Sequence, residues 1–485
     1  RIWYISSRHA AIEGKAVSKE RAGDMTVAAI ASKTVDLVSG GLYAPGDIAV
    51  LVRTRHQARE VQDLLEEFGL RQRLAGRWVY DERHLCHSPQ ERLFFNGEWQ
   101  EGLLPVQGVG AATLDQYRRF ADKVRAAQQA APFSIPAFRA TASAAHLTLD
   151  AISFQAWLDG EGLSDPHLRW YLDYSCRDDY GAGIASVSAW AGIHYFASRH
   201  GFHAPGDDAG EREGVLTWPE GNAWLTRRMA APLVEGAGGR LRAGRVVQRI
   251  EAGRQGVTVD AWDAATDTVE RWQAINCIVA LPVFVAARVV VNPPDFLREA
   301  AARTRYSPWL VANLHIERAL HDRPGAPPSW DNVLYGSASL GYVDAMHQNL
   351  QRVPGATVLT YYLALGDAPD NRLRLLQQPW SHWRDTIVAE LSVPHPDLRE
   401  KLRRMDITRY GHAMAVPVPG TLRNGHFQVR NRLSPASAGH EQLQEYERLT
   451  PSEGRLHFAH SDWSGYSVFE EAFTRGHAAA VSLRA

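Results

Sequence analysis

Cysteine is scarce in this 485-residue chain: only Cys86, Cys176 and Cys277 occur, and they lie far apart. That excludes a disulfide framework and a cysteine-based zinc module, and a reducing, cytoplasmic compartment is expected. Net charge is nearly absent, at −1, so the chain has no global basic footprint for nucleic acid. Long apolar runs are missing too. The longest, Cys277 to Val291, is about 15 residues, short of the ~18 that span a bilayer, and it holds Pro282 and Arg288. No leader-type segment opens the sequence, and Arg1 stands where an initiator Met is usual, so a segment of a longer reading frame is expected. Glycine is absent where phosphate chemistry would need it. There is no Gly-rich loop ending in Lys-Ser/Thr. Gly108-Val109-Gly110 has Thr113 at its third position and Pro105 ahead of it, so it reads as a loop before a helix. No lysine lies between Lys123 and Lys401.

What is present needs two or three domains, because this length exceeds one ordinary core. Residues 1–70 read as β-α-β-α. Arg1–Ile5 is β-prone, and Lys19–Val38 has helical apolar spacing. Asp47–Arg53 is a continuous apolar run of the kind a buried parallel strand shows. His56–Phe68 is amphipathic, with Gly69 as its stop. At Arg71 the pattern changes to short strands and turns, with a hairpin predicted at Phe94–Trp99 around Asn96-Gly97. His84, Cys86 and His87 stand close together but lack the further ligands of a metal site. Residues 112–204 read as helices over Leu114–Ala131, Phe154–Leu158, Tyr171–Tyr180 and Ile184–His203. The aromatic last stretch fits a buried helix better than a pocket wall.

Further on, Asn222 is placed to cap a helix running to Leu233. Residues 244–282 alternate through three or four strands and end in Ala-Leu-Pro. Tyr306–Ile316 and Val358–Ala364 read as strands, and Pro379–Leu391 and Pro396–Arg403 as helices. Tyr410–Pro419 is an aromatic-then-Pro run. The chain closes on Arg455–Ala485, RLHFAHSDWSGYSVFEEAFTRGHAAAVSLRA: a short apolar strand, a loop with one acid, and a helix.

That closing segment resembles the end of flavin-dependent oxidoreductases of the amine oxidase and protoporphyrinogen oxidase class. The resemblance covers roughly Arg71–Ala485. It implies α/β and α+β architecture: a split, Rossmann-like FAD-binding domain with a mixed helical and antiparallel-sheet substrate domain. It assigns 71–105, 205–291 and 411–485 to the FAD domain, and 106–204 and 292–410 to the substrate domain. It implies FAD as cofactor and a small-molecule substrate giving hydride to flavin. Asp462 is expected to face a groove and bind the ribityl or phosphate part, and the helix opening at Phe469 and Glu470 to aim at the flavin, with Gly465 and Ser467 between them. Val246 and Val247 are expected at the adenine, and Pro282 where the chain returns to the cofactor. Members usually carry a lysine that orients water near the flavin; Ala312 or Asn313 stands about there.

Pro45–Leu70, PGDIAVLVRTRHQAREVQDLLEEFGL, is similar to the helicase region of the exodeoxyribonuclease V beta subunit. This implies a fused N-terminal fragment of residues 1–70, with Arg53 at a former ATP site. Without a phosphate loop, neither ATPase activity nor nucleic-acid binding is expected. Arg53-Thr54-Arg55-His56 occupy the turn where glycines would let a backbone approach a pyrophosphate, so weak FAD binding is expected. Two other readings stay open: a non-catalytic flavoprotein remnant, and a fragment of a DNA helicase or exonuclease subunit.

Overall fold

The computed structural model describes residues 71–74, 77–80, 90–140, 143–207, 223–234, 240–345, 355–423 and 450–483. The helicase-like block, the His84–His87 cluster and Asn222 lie outside them. The chain divides into two compact units, Arg1–Cys86 with Gly214–Leu241, and His87–Glu213 with Arg242–Ala485. In the first, Arg71–Leu74 pairs antiparallel with Arg77–Tyr80, and Ala223–Val234 is a helix.

The second unit is built on a seven-stranded sheet. Its order is Leu402–Val416, Arg305–Ile316, Thr357–Ala364, Tyr342–Asp344, Asp331–Leu334, Glu91–Phe95 and Glu98–Glu101. All neighbours pair antiparallel except Asp331–Leu334 with Glu91–Phe95, which run parallel. The Asn-Gly hairpin forms as its sequence dictates. Asn96 and Gly97 adopt φ of 52° and 86°, the left-handed pair that matches strand twist in a two-residue turn. Along Arg305–Ile316 burial alternates, with Leu310, Ala312, Leu314 and Ile316 turned into the core. Helix Trp380–Leu391 covers that face with Trp383, Ile387 and Leu391, spaced one turn apart. Burying Trp383 alone is worth roughly 4–6 kcal/mol, from about 150–250 Å² of side chain at 25 cal/mol/Å².

Helices Ala111–Ala130, Phe154–Gly160, Pro166–Tyr180 and Ala189–Ala197 form a separate core around Tyr117, Phe120, Phe154, Leu172 and Ile193. The side chains of Ser153, Asp165 and Ser188 cap three of them. The capping Ser188 explains why the last helix starts at Ala189 and not at Ile184. Gly108–Gly110 is indeed a loop before a helix. His194 is 1 % exposed, as a buried helix requires.

A third core joins sequence-distant parts. Arg245–Ala252, Val257–Asp263 and Thr268–Ala274 make an antiparallel meander. Cys277–Val279 leaves it to pair in parallel with Leu456–Phe458. Ile250, Val279, Val283, Leu456, Phe458 and Trp463 pack together. The strand expected to end in Ala-Leu-Pro stops before Pro282, and a helix, Val283–Val289, follows. One expectation is corrected here. Only Leu398–Lys401 of the stretch expected to be helical is helix; Leu402 begins a 15-residue strand that runs through Tyr410 to Val416.

Candidate functional site

The parallel pairing of Ile278 with His457 and of Val279 with Phe458 brings two carboxyl strand ends to one edge. Such an edge is where open α/β sheets leave a crevice for ligands. After Phe458 the chain makes a short turn, Ser461–Ser464, stopped by Gly465 at φ 84°. Arg475 of the terminal helix Phe469–Ser482 reaches back to fix it, donating to the Trp463 carbonyl at 2.8 Å and to Ser464 Oγ at 3.0 Å. Burial lowers the Arg475 pKa to about 10, so it remains charged at neutral pH.

That turn carries Asp462, which is 2 % exposed. Its Oδ2 accepts from the Val283 N–H at 3.0 Å and from the Tyr306 hydroxyl at 2.5 Å. The reason lies at Pro282, which precedes helix Val283–Val289 and offers no side-chain cap. The Val283 N–H is one of the donors a helix start leaves orphaned, and Asp462 supplies the acceptor from 179 residues away. Burial, and next the Asp462 charge, push the Tyr306 phenol well above its ordinary pKa, so it stays a donor. His460 Nδ1 lies 3.1 Å from Asp462 Oδ1 and 3.2 Å from the Asp462 N–H. The ring nitrogen accepts that backbone proton.

Beside Tyr306, Phe284 stacks on His412 with ring centroids 4.4 Å apart. Burial, then the nearby Arg372 and Arg288 guanidiniums, depress the His412 pKa, leaving a neutral imidazole at pH 7. Arg372 itself donates to the carbonyls of Gly411 and Tyr306. Sequence reasoning gave no role to Tyr306, Phe284, His412 or His460. Tertiary packing of two strands, a helix start and a turn brings them together, and nothing local in the sequence marks them.

The remaining expected residues fall in three places. Pro282 and Asp462 meet through Val283, and Gly465 lines a neighbouring cavity of about 230 Å³. Ser467 Oγ accepts from the Ala415 N–H at 3.0 Å, tying the closing segment to the long edge strand. Phe469 and Glu470 are exposed at the terminal helix start, where Glu471 is also in the first turn. Two acids there make this helix end a poor seat for an anion. Val246 and Val247 lie in the meander, Val246 exposed and Val247 against the shared core. Ala312 is buried in mid-sheet, and Asn313 accepts from the Thr360 hydroxyl. Among the described residues, Lys123 pairs with Glu161 and Lys401 with Asp397, so neither is at this edge.

Comparison with known proteins adds to this geometry. The family model of flavin-containing amine oxidoreductases matches residues 51–484. No curated protein sequence matches the chain. Solved structures do. Putrescine oxidase bound to putrescine is 16% identical with a TM-score of 0.56, covering 86% of this chain and 90% of its own. Cyclohexylamine oxidase from Brevibacterium oxydans is 16% identical with a TM-score of 0.54, covering 83% and 81%. A fatty acid isomerase from P. acnes that produces CLA is 13% identical with a TM-score of 0.50, covering 87% and 83%. At these identities the likeness is one of fold.

Proposed function

Because this chain belongs to the flavin-containing amine oxidoreductases and its cofactor is FAD, we propose that it takes hydride from a small organic substrate at the edge where Val279 and Phe458 end. The observation that carries the reading is the meeting of Pro282, Tyr306 and Asp462 at the carboxyl ends of two parallel strands. The donor set fits the polyol-and-ring half of FAD. A carboxylate and a phenol suit hydroxyl groups, and the stacked Phe284–His412 pair offers a flat wall. Asp462, His460 and Tyr306 would hold that half, and Val246 and Val247 would approach the adenine.

Bound FAD supplies the hydride acceptor. The chain's part is to position and to tune. Tyr306 donates a fixed hydrogen bond, Asp462 holds Tyr306 and the Val283 helix in register, and neutral His412 is able to take a proton. With Lys123 and Lys401 engaged elsewhere, no described lysine orients water, which argues for a substrate whose oxidation does not need that water. With Arg53-Thr54-Arg55-His56 in the sequence where glycines would favour pyrophosphate, FAD is proposed to be held weakly and to exchange readily. The test is titration of flavin-free protein with FAD, followed by anaerobic mixing with a panel of amines, alcohols and unsaturated acids. Bleaching of the flavin band by at least one substrate is expected. Flavin that binds but is bleached by none would favour the non-catalytic remnant.

A further inference from the structure

A second cavity, of about 690 Å³, opens elsewhere on the same unit. That volume is ordinary for a small-molecule site. Its floor follows from topology. Glu91–Phe95 and Asp331–Leu334 run parallel, so Phe95 and Tyr335 emerge at the same end. His167 overhangs from the first turn of helix Pro166–Tyr180, and Glu390 enters from the end of helix Trp380–Leu391. The Phe95 and Tyr335 rings meet edge to face at 4.8 Å, and His167 Nδ1 lies 2.8 Å from the Tyr335 hydroxyl.

The cavity has a definite charge preference. Glu390 is held in place by three hydroxyls: Ser337 Oγ at 2.5 Å and Ser339 Oγ on Oε1, and Tyr361 OH at 2.9 Å on Oε2. Among the described residues, no arginine or lysine lines the cavity. The buried guanidinium of Arg177 is engaged by Asp173 and by the carbonyls of Ala338 and Ser339. The cavity therefore presents one carboxylate with no arginine or lysine partner among the described residues, beside the Phe95 and Tyr335 rings. Aromatic faces attract cations and offer nothing to anions.

We propose that this cavity binds the ammonium end of a small organic cation, with Glu390 as its counter-charge and Phe95 and Tyr335 as its walls. It is separate from the strand-end edge. His167 stands at the start of its helix and Tyr180 at the finish, about 20 Å away at 1.5 Å per residue, and the Gly181 carbonyl after it accepts from Ser307 Oγ, next to Tyr306. The proposal does not rest on the flavin reading, since binding is measured without turnover.

The test is calorimetric titration of the full chain, with and without added FAD, using benzylamine, benzyl alcohol and benzoate at pH 7. Benzylamine is expected to bind in both states, at least about tenfold tighter than benzyl alcohol, the scale of a lost charged hydrogen bond, with benzoate weakest. Glu390→Gln should weaken benzylamine about tenfold and erase its advantage over the alcohol. Phe95→Leu, which keeps the charge, should weaken benzylamine severalfold and serves if the first variant does not fold. Unchanged benzylamine affinity in either folded variant, or benzoate binding as tightly as benzylamine, overturns the proposal. Loss of flavin bleaching with benzylamine binding intact would count against the flavin reading alone.

Discussion

Replacing Asp462 by Ala tests the buried knot at the strand ends. The substitution removes the acceptor of the Val283 N–H and of the Tyr306 hydroxyl at once. Each buried donor left without a partner costs about 1–3 kcal/mol, so roughly 2–6 kcal/mol is expected in total. At about 2.1 cal/mol/K of unfolding entropy per residue, that lowers the melting temperature of a unit this large by roughly 3–8 °C. Asp462→Asn should lose less, because its carbonyl oxygen still accepts the Val283 N–H. The sharper readout is a double-mutant cycle with Tyr306→Phe. In the wild-type background that change removes a charge-assisted bond and costs about 1.5–3 kcal/mol. In the Asp462→Ala background it removes an orphaned hydroxyl, and should be neutral or stabilising. Differential scanning calorimetry of the four proteins decides the matter. Additive losses, or an Asp462→Ala protein that melts like wild type, would refute the reasoning.

Two further outcomes follow from single residues. Burial lowers the His194 pKa to about 3, so the stability its neutral form contributes is present above pH 6.5 and is lost as pH falls from there toward 3. By pH 4.5 the loss is about 3 kcal/mol, at 1.36 kcal/mol per unit. His194→Gln, which keeps a donor for the Ser134 carbonyl, should lose correspondingly less stability between pH 7 and pH 4.5 in urea titrations; an identical pH slope would show that His194 is not the group responsible. Gly181 sits at φ 74°, and a Cβ there would lie 2.5 Å from Ser307 Cβ, whereas a Cβ at Gly97, φ 86°, meets nothing within 4 Å. Gly97→Ala should therefore cost only the roughly 1–2 kcal/mol of a left-handed residue, and Gly181→Ala distinctly more. Equal melting shifts for the two would contradict this.

The parts of this fold legible in the sequence are those specified locally. The Asn96-Gly97 hairpin, the alternating strand at Arg305–Ile316 and the buried helix around His194 each carry their own pattern. Elements without a local pattern were missed. The helix at Val283–Val289 hides in a run apolar on every side, where no period separates helix from strand. Leu402–Arg403 continue a charged stretch with helical spacing, yet they belong to an edge strand, fixed in register by its neighbour Arg305–Ile316. The position of Asp462 at the end of a strand was readable, but its environment was not. An acid between Ser461 and Trp463 looks like a solvent loop until a helix start 179 residues upstream claims it. The Glu390 cavity draws on five separate chain segments, and none of them carries a binding-site signature.

The most direct test of the central claim is flavin stoichiometry at equilibrium. Flavin-free protein is titrated with FAD, and bound flavin per chain is read from the shift and quenching of the flavin's own absorbance and fluorescence. The account predicts saturation at one FAD per chain, with weak affinity, and weaker still in Asp462→Ala at a temperature where that variant remains folded. A folded chain that takes up no FAD at saturating concentration would contradict it.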